Sequence, residues 1–444
     1  MTPSPSSDAW SLAARLARRT GFGATGAEVD AILARGPAAH IRAILAADPA
    51  QDPGAKSTPP PTFDKVPAAG KGADQQARKA RNAALRAQLT ELAGWWVRRM
   101  AAAQSPFGEK LTFLWHNHFA TSASKVRQAP LMLAQNRKLR TLGRGDFHTL
   151  ASAMLTDAAM LYWLDGEANT KAAPNENLSR EFMELFALGH GDGYTETDVR
   201  EGARALTGWS IRYTDGTTYL DPSRFDAGTK TFLGVTGDLD AAAYCDAVLA
   251  RPASGPFVCG RMYRQLVSDD APSAPVLEAI TAAYGPTRSL TGMLTTMLAA
   301  DDFAAKASTS VVSPVEWLIG LVRALKIPLD GPAGDRTVTK LLGVLKQLGQ
   351  VPFYPPNVGG WPSGQAWLST SAAELRMRTA AALVRQADLD ALRTAPASGR
   401  LDALAHLLGL ATWSDRSKAV LQQNISNLEQ LITVAVNTPE YLTN

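Results

Sequence analysis

Two cysteines in 444 residues, Cys245 and Cys259, exclude a disulfide framework and leave at most one bridge. The chain contains no CxxC pair and no Cys/His spacing of a zinc site. It also lacks any apolar run of the ~18 residues that a transmembrane helix needs, so no membrane span is expected. The opening stretch, MTPSPSSDAWSLAARLARRTGFG, has no apolar core of a secretory signal. As written, the chain is expected to begin mature or to stay in the cytoplasm. A formal net charge of +4, with no Lys/Arg stripe interleaved with aromatics, argues against a nucleic-acid partner. GxSxG, GxxxxGK(S/T), a strand-anchored GxGxxG, HExxH and a Glu-x-x-His pair are all missing. Lipase-like esterases, P-loop enzymes, Rossmann dehydrogenases, zincins and ferritin-like di-iron proteins are thereby disfavoured.

What is present is a globular composition, 45% hydrophobic and 19% charged, whose periodicity is helical almost throughout. The reading is mainly α: a large helical domain over 1–444, either α/α-barrel-like or an irregular bundle. Helices are expected in SLAARLARR, after Thr25, over 73–103, after Pro106, and near 128–142, 146–163, 175–188 and 196–207. Thr195 with Asp198 has the spacing of a capping box. Three stretches depart from helical periodicity. Residues 49–72, rich in Pro, Gly and Lys, read as a long mobile loop. Residues 208–234 read as a β-hairpin insertion, with Asp215-Gly216 as its turn. Residues 348–369, with several prolines and glycines and two tryptophans, exclude a regular element.

Four polar clusters could carry chemistry. In LTFLWHNHFATS, His116 and His118 flank Asn117. On a helix, residues two apart point about 200° apart, which disfavours a shared metal. The alternatives are a packed and a capped histidine, or a helix end lining a cleft. In NENLSREFMEL, Asn175, Glu176, Asn177, Arg180, Glu181 and Glu184 crowd one helix start. Arg180 can pair with Glu176 or Glu184 at i±4, giving a solvated ladder. Alternatively the amides grip a ligand, and Glu181 with Glu184 split into an acid and an ionised partner. In RFDAGTKTFLG, Asp226 and Lys230 sit in a turn, where such a pair is ordinarily structural. In PPNVGGWPSGQAW, Asn357 and Trp361 form either a plug over the core or a platform for a sugar face.

These segments, together with SPVEW and LGQVPFYPPNVGGWP, stand in the order and at about the separations of a bacterial domain-of-unknown-function family, the one numbered eighteen hundred. The chain resembles that family over nearly its whole length. The resemblance implies a predominantly helical protein. It also implies members that are often exported and often encoded beside a family of sulfatase-like fold, hence work on an envelope or extracellular polymer. Two departures stand out. Family members usually carry a histidine where this chain has Phe225, and many have an export signal.

The functional expectation is an enzyme using acid/base chemistry on a glycan or related polar polymer, a hydrolase or lyase. Glu181 would be the general acid/base, with Glu184 or Asp226 as partner carboxylate. His118 and His116 would orient the substrate and Arg180 would fix a carboxylate. Asn117, Asn175, Asn177, Lys230, Asn357 and Trp361 would contribute binding. No cofactor is expected. One alternative is a metal-dependent enzyme using a divalent metal on His116 and His118. Another is a non-enzymatic envelope assembly or export factor, with a sulfatase-like partner, in which the polar residues form an internal network.

Overall fold

The computed structural model describes residues 7–67, 74–191, 193–213, 215–305 and 309–444. It is 61% helical, and its sheets among the described residues are two antiparallel hairpins, as expected of a mainly α chain with a small β insertion.

The first helix, α1 (Ser7–Arg19), packs on α2 (Gly26–Arg35). A reciprocal cap opens α2: the Thr25 hydroxyl accepts the Glu28 N–H, and the Glu28 carboxylate accepts the Thr25 N–H. Gly36, at φ 83°, ends α2 and lets α3 (Pro37–Ala46) start at once on a proline whose missing N–H costs nothing there. The stretch expected to be a loop from 49 holds a further helix, α4 (Pro53–Ser57). Asp52 accepts the N–H groups of Gly54 and Ala55, so Asp52-Pro53 is a cap followed by a helix-starting proline. The loop composition concealed that signal. The segment that follows lies against α5 (Gln75–Ala102): Trp95 Nε1 donates to Thr58 O (3.0 Å) and Gln88 Nε2 to Asp64 O (2.8 Å). Residues 68–72 of the expected loop lie outside the described residues.

Leu85, Leu89, Leu92, Trp96 and Met100 give α5 a buried stripe, against which α4, α6 (Phe107–His118), α8 and the helix Pro314–Ala324 pack. Then come α7 (Ala123–Val126), α8 (Ala129–Leu142), α9 (Phe147–Leu155) and α10 (Ala158–Trp163). The helix expected over 146–163 is thus two. Asp157 stops the first by capping the second, accepting the N–H groups of Ala159 and Met160.

One turn and a half of α-helix, α11 (Asn177–Glu181), runs directly into a π-helical segment, Phe182–Ala187. The capping box at Thr195 and Asp198 opens α12 (Glu196–Ala205). Strand β1 (Trp209–Arg212) pairs with β2 (Thr217–Leu220), Trp209 opposite Leu220, around the Asp215-Gly216 turn. A second hairpin, β3 (Lys230–Phe232) with β4 (Val235–Gly237), extends the insertion past residue 234. Its turn, Leu233-Gly234, has φ of 50° and 86°, the doubly positive geometry that suits strand twist. Helices α13 (Ala241–Leu249) and α14 (Ser254–Leu266) lead into the helical C-terminal part. Residues 348–369 are irregular apart from one 3₁₀ turn, Gly364–Trp367.

Buried apolar side chains form one cluster reaching from Ala13 to Tyr441. The two ends of the chain meet: Arg18 donates to the carbonyls of Glu440 (3.0 Å) and Tyr441 (2.7 Å). Cys245 and Cys259 are both buried and unbridged. No helix among the described residues is long and apolar enough to cross a membrane.

Candidate functional site

The polar residues of α6 turn inward. Glu109 is buried and accepts from Arg99 (2.6 Å), Arg140 (2.8 Å) and Trp96 Nε1 (2.9 Å). Burial raises its pKa, but Arg140 and Arg99 outweigh that and hold the carboxyl below its usual range. His116 is 1% exposed, edge-on to the rings of Trp96, Phe353 and Trp361, and burial lowers its pKa to about 3. His118 is fully buried among Trp115, Phe119, Phe147 and Phe186. Its Nε2 lies 2.9 Å from Phe186 O, so Nε2 carries the proton. Burial first, and the Arg261 guanidinium second, keep this ring neutral. The two histidines face different aromatic sets and do not converge on one ligand. Neither lines an open cleft, so the expected substrate-orienting role is corrected to packing. The cause is the helical i, i+2 spacing with an aromatic shell on each side.

Asn117 joins this layer to the loop at 357–361. Its Oδ1 accepts the Trp361 N–H (2.7 Å) and its Nδ2 donates to Gln265 Oε1 on α14 (2.8 Å). Gly360, at φ 95°, must be glycine here, because a Cβ would sit 2.4 Å from Asn117 Oδ1. Trp361 is 5% exposed and stacks on Phe113, ring centroids 5.1 Å apart. It is a plug and offers no sugar platform. Asn357 accepts the Gly359 N–H (2.9 Å) to shape the loop. Arg261 of α14 donates to Gly359 O (3.0 Å).

The amides that open the NENLSREFMEL helix organise backbone. Buried Asn169 donates to Ala203 O (2.8 Å) and accepts the Asn175 N–H (2.9 Å). Asn175 Oδ1 in turn accepts the Asn177 N–H (3.0 Å), so Asn175 supplies the cap that the helix start otherwise lacks. Half-buried Asn177 makes no side-chain hydrogen bond with the described residues.

Beyond this start the charges turn outward. Arg180 binds Glu196 through both terminal nitrogens (2.8 and 2.7 Å), Glu176 at 3.1 Å and Glu184 at 3.6 Å. Glu184 also lies 3.2 Å from His190 Nδ1, and after burial its charge helps raise the Tyr194 pKa. Glu181, half-buried, forms no hydrogen bond or ion pair with the described residues. Burial, then the charge of Glu184, raise its pKa, against weaker pulls from His190 and Arg180. The switch to π-helix falls immediately after Glu181, and such segments concentrate at functional sites. Gly189, Gly191 and Gly193 all have positive φ and carry the chain sharply away from this face, placing His190 and Tyr194 beside it. His190, Tyr194 and Glu196 were missed as site residues. The alternation of glycines around His190 was the available signal.

The DAGTK turn stands apart. Asp226 pairs with Arg204 (2.7 Å), which lowers its pKa, and it is not among the charges acting on Glu181. Glu201 shares Arg204 at 2.9 Å. Asp226 is therefore held by Arg204, and Glu184 is the carboxylate whose charge acts on Glu181. Lys230 is buried, its ammonium 5.0 Å from the Phe225 ring centre and bonded to Gly228 O (3.0 Å) and Asp238 (3.2 Å). Its expected contact with a ligand becomes a contact with the turn itself. The aromatic ring of Phe225 gives that lysine an apolar lid.

A model of one family matches residues 15–443, nearly the whole chain, under the description "protein of unknown function (DUF1800)". The chain belongs to the DUF1800 family. Comparison with curated proteins and with solved structures finds no match. The polar motif residues of this DUF1800 chain divide into those engaged or packed within the protein (His116, Asn117, His118, Asp226, Lys230, Asn357 and Trp361) and one partly exposed group: Glu181, Glu184, Arg180, His190 and Tyr194.

Proposed function

We propose that this DUF1800 chain is an acid/base enzyme acting on a polar polymer such as a glycan, by hydrolysis or elimination. Glu181 is the group that gives and takes the proton, and Glu184 is its partner carboxylate. The observation that carries this reading is the contrast between two carboxylates three residues apart. Glu184 is engaged by Arg180 and His190, whereas Glu181 is unengaged and has a raised pKa. Two neighbouring carboxyls whose environments push them apart are the usual basis for an acid and a base in one site. Asn177, with an amide free of protein partners on the same helix, is available to a ligand hydroxyl. The site lies on an outer face, which suits an extended chain passing over it better than a small molecule enclosed by it.

Purified protein incubated with a panel of neutral and acidic polysaccharides should release reducing ends or unsaturated products. Glu181→Gln should abolish that release and leave the melting temperature within a few degrees of the parent. Undiminished turnover by Glu181→Gln rejects the assignment.

A second reading rests on the burial of His116, His118, Trp361 and Lys230, which makes most of the polar motif residues part of the framework. In that reading the chain is an envelope assembly or export factor. The face around Arg180 and Glu184 then contacts a protein, the sulfatase-like neighbours implied by the family resemblance being the first partners to test. Partner binding that is lost in Arg180→Glu, without any polymer turnover by the parent, selects it.

A further inference from the structure

A cavity of about 620 Å³ lies at the N-terminal end of the fold, among α1, α2, α3 and the start of α6. Its volume falls in the ~300–1,000 Å³ range of small-molecule sites. None of the residues of the polar motifs lines it. Its floor and walls are apolar: Ala17, Ile32, Ala43, Ile44, Pro49 and Phe107.

The ionisable groups around it are unequally engaged. Each acid already has donors. Glu28 accepts from the Thr25 N–H (2.8 Å) and from Arg323 (2.5 Å). Asp52 accepts four backbone N–H groups, those of Gly54, Ala55, Gln104 and Ser105. Asp48 accepts the Ala50 N–H (2.9 Å) and lies near enough to Arg144 to offset part of the lowering that burial imposes on that guanidinium. The bases Arg35 and His40 have no hydrogen bond or ion pair with the described residues. They stand close enough together that Arg35, after burial, helps push the His40 pKa down. The cation of Arg35, unlike the three carboxylates, has no partner among the described residues, and beside an apolar hollow it is complementary to a molecule with an apolar body and an anionic head, to which the neutral ring of His40 can donate a hydrogen bond.

We propose that this cavity binds an amphiphile with a single aliphatic chain and an anionic head. The chain packs on Ile32, Ile44 and Phe107, and the head lies against Arg35 and His40. The proposal does not depend on the Glu181 site.

The test is calorimetric titration of the full chain, with each probe below its micelle concentration. The probes are laurate, monododecyl phosphate, dodecanol and dodecyltrimethylammonium, with the melting temperature as a second readout. Laurate, dodecyl phosphate or both should bind with one site per chain and raise the melting temperature. Dodecanol and the ammonium amphiphile should bind at least about ten-fold more weakly. The tighter of the two anions identifies a carboxylate or a phosphoryl head, and either result supports the site. Arg35→Glu, at an exposed position, should weaken the anion at least about ten-fold, and Ala43→Trp should fill the hollow and abolish binding. The proposal falls if neither anion binds. It also falls if dodecanol binds as tightly as the anions, or if both folded variants bind like the parent.

Discussion

Helix α6 and the turn formed by α11 and its π-helical extension are neighbours joined through His118 and Phe186 O, and both carry several polar residues. On α6 the side chains of Glu109, Asn117 and His118 are all turned inward and engaged with protein groups. At the junction of α11 and the π segment Glu184 is partly exposed and paired, and Glu181 has no hydrogen-bond or ion-pair partner among the described residues. A polar residue in such a stretch can thus belong to the framework or be open to a ligand. What distinguishes the two is where the unused hydrogen-bonding capacity lies. His116 Nε2 and His118 Nδ1 of α6 have no hydrogen-bond partner but are sealed in aromatic packing, whereas the unmatched carboxyl of Glu181 is only half-buried and within reach of a ligand.

Four outcomes would break or sharpen that contrast. Acid should act first on the buried layer. His116 and His118 are neutral in the fold, with pKa values below the ordinary 6.5, so the unfolded chain binds more protons as pH falls. Stability should therefore drop below about pH 6.5, by up to ~1.4 kcal/mol per pH unit for each histidine, until the folded pKa is reached. Urea midpoints measured from pH 7 to 4.5 check this, and a flat profile would mean that the rings are not buried neutral. Next, Glu109→Ala strands Arg99 and Arg140 in the interior and should cost ~3–5 kcal/mol. An unfolding midpoint close to the parent's would place Glu109 in solvent.

Asn117→Ala leaves the Trp361 N–H and Gln265 Oε1 without their partner, an expected loss of ~1–3 kcal/mol. The same variant should be cut faster by protease within 357–361. Glu181→Gln should change stability least, within about 0.5 kcal/mol. The direction can be stated. The folded pKa of Glu181 is raised, so any stability it contributes is present below its unfolded pKa and lost as pH rises through the folded one. At pH 7 the glutamine variant should be equal to the parent or slightly more stable. A clear destabilisation there would assign Glu181 to the framework with α6.

Much of the helical pattern is legible from periodicity, and the capping boxes at Thr195 and the hairpin turn at Asp215-Gly216 are read correctly because their signals are local. Asp52-Pro53 and Asp157 were hidden, the first by a proline-rich context and the second inside continuous apolar periodicity. The π segment has no sequence signature of its own, since a widened turn depends on packing from both sides. Arg180 with Glu176 and Glu184 follows from i±4 spacing, but its bidentate bond to Glu196 depends on where α12 returns. For the same reason the sequence left Trp361 as platform or plug: only the position of Phe113 decides it.

The clamp between α1 and the last helix bears on how this chain can be made. The guanidinium of Arg18 finds its acceptors at Glu440 and Tyr441, in the second case 423 positions further along. α1 already packs on α2, so its own neighbourhood can form before that distant stretch joins it. Closing so long a loop is slow, which puts the Arg18 clamp among the late contacts of folding. Arg18→Ala should therefore speed unfolding and leave the folding rate nearly unchanged.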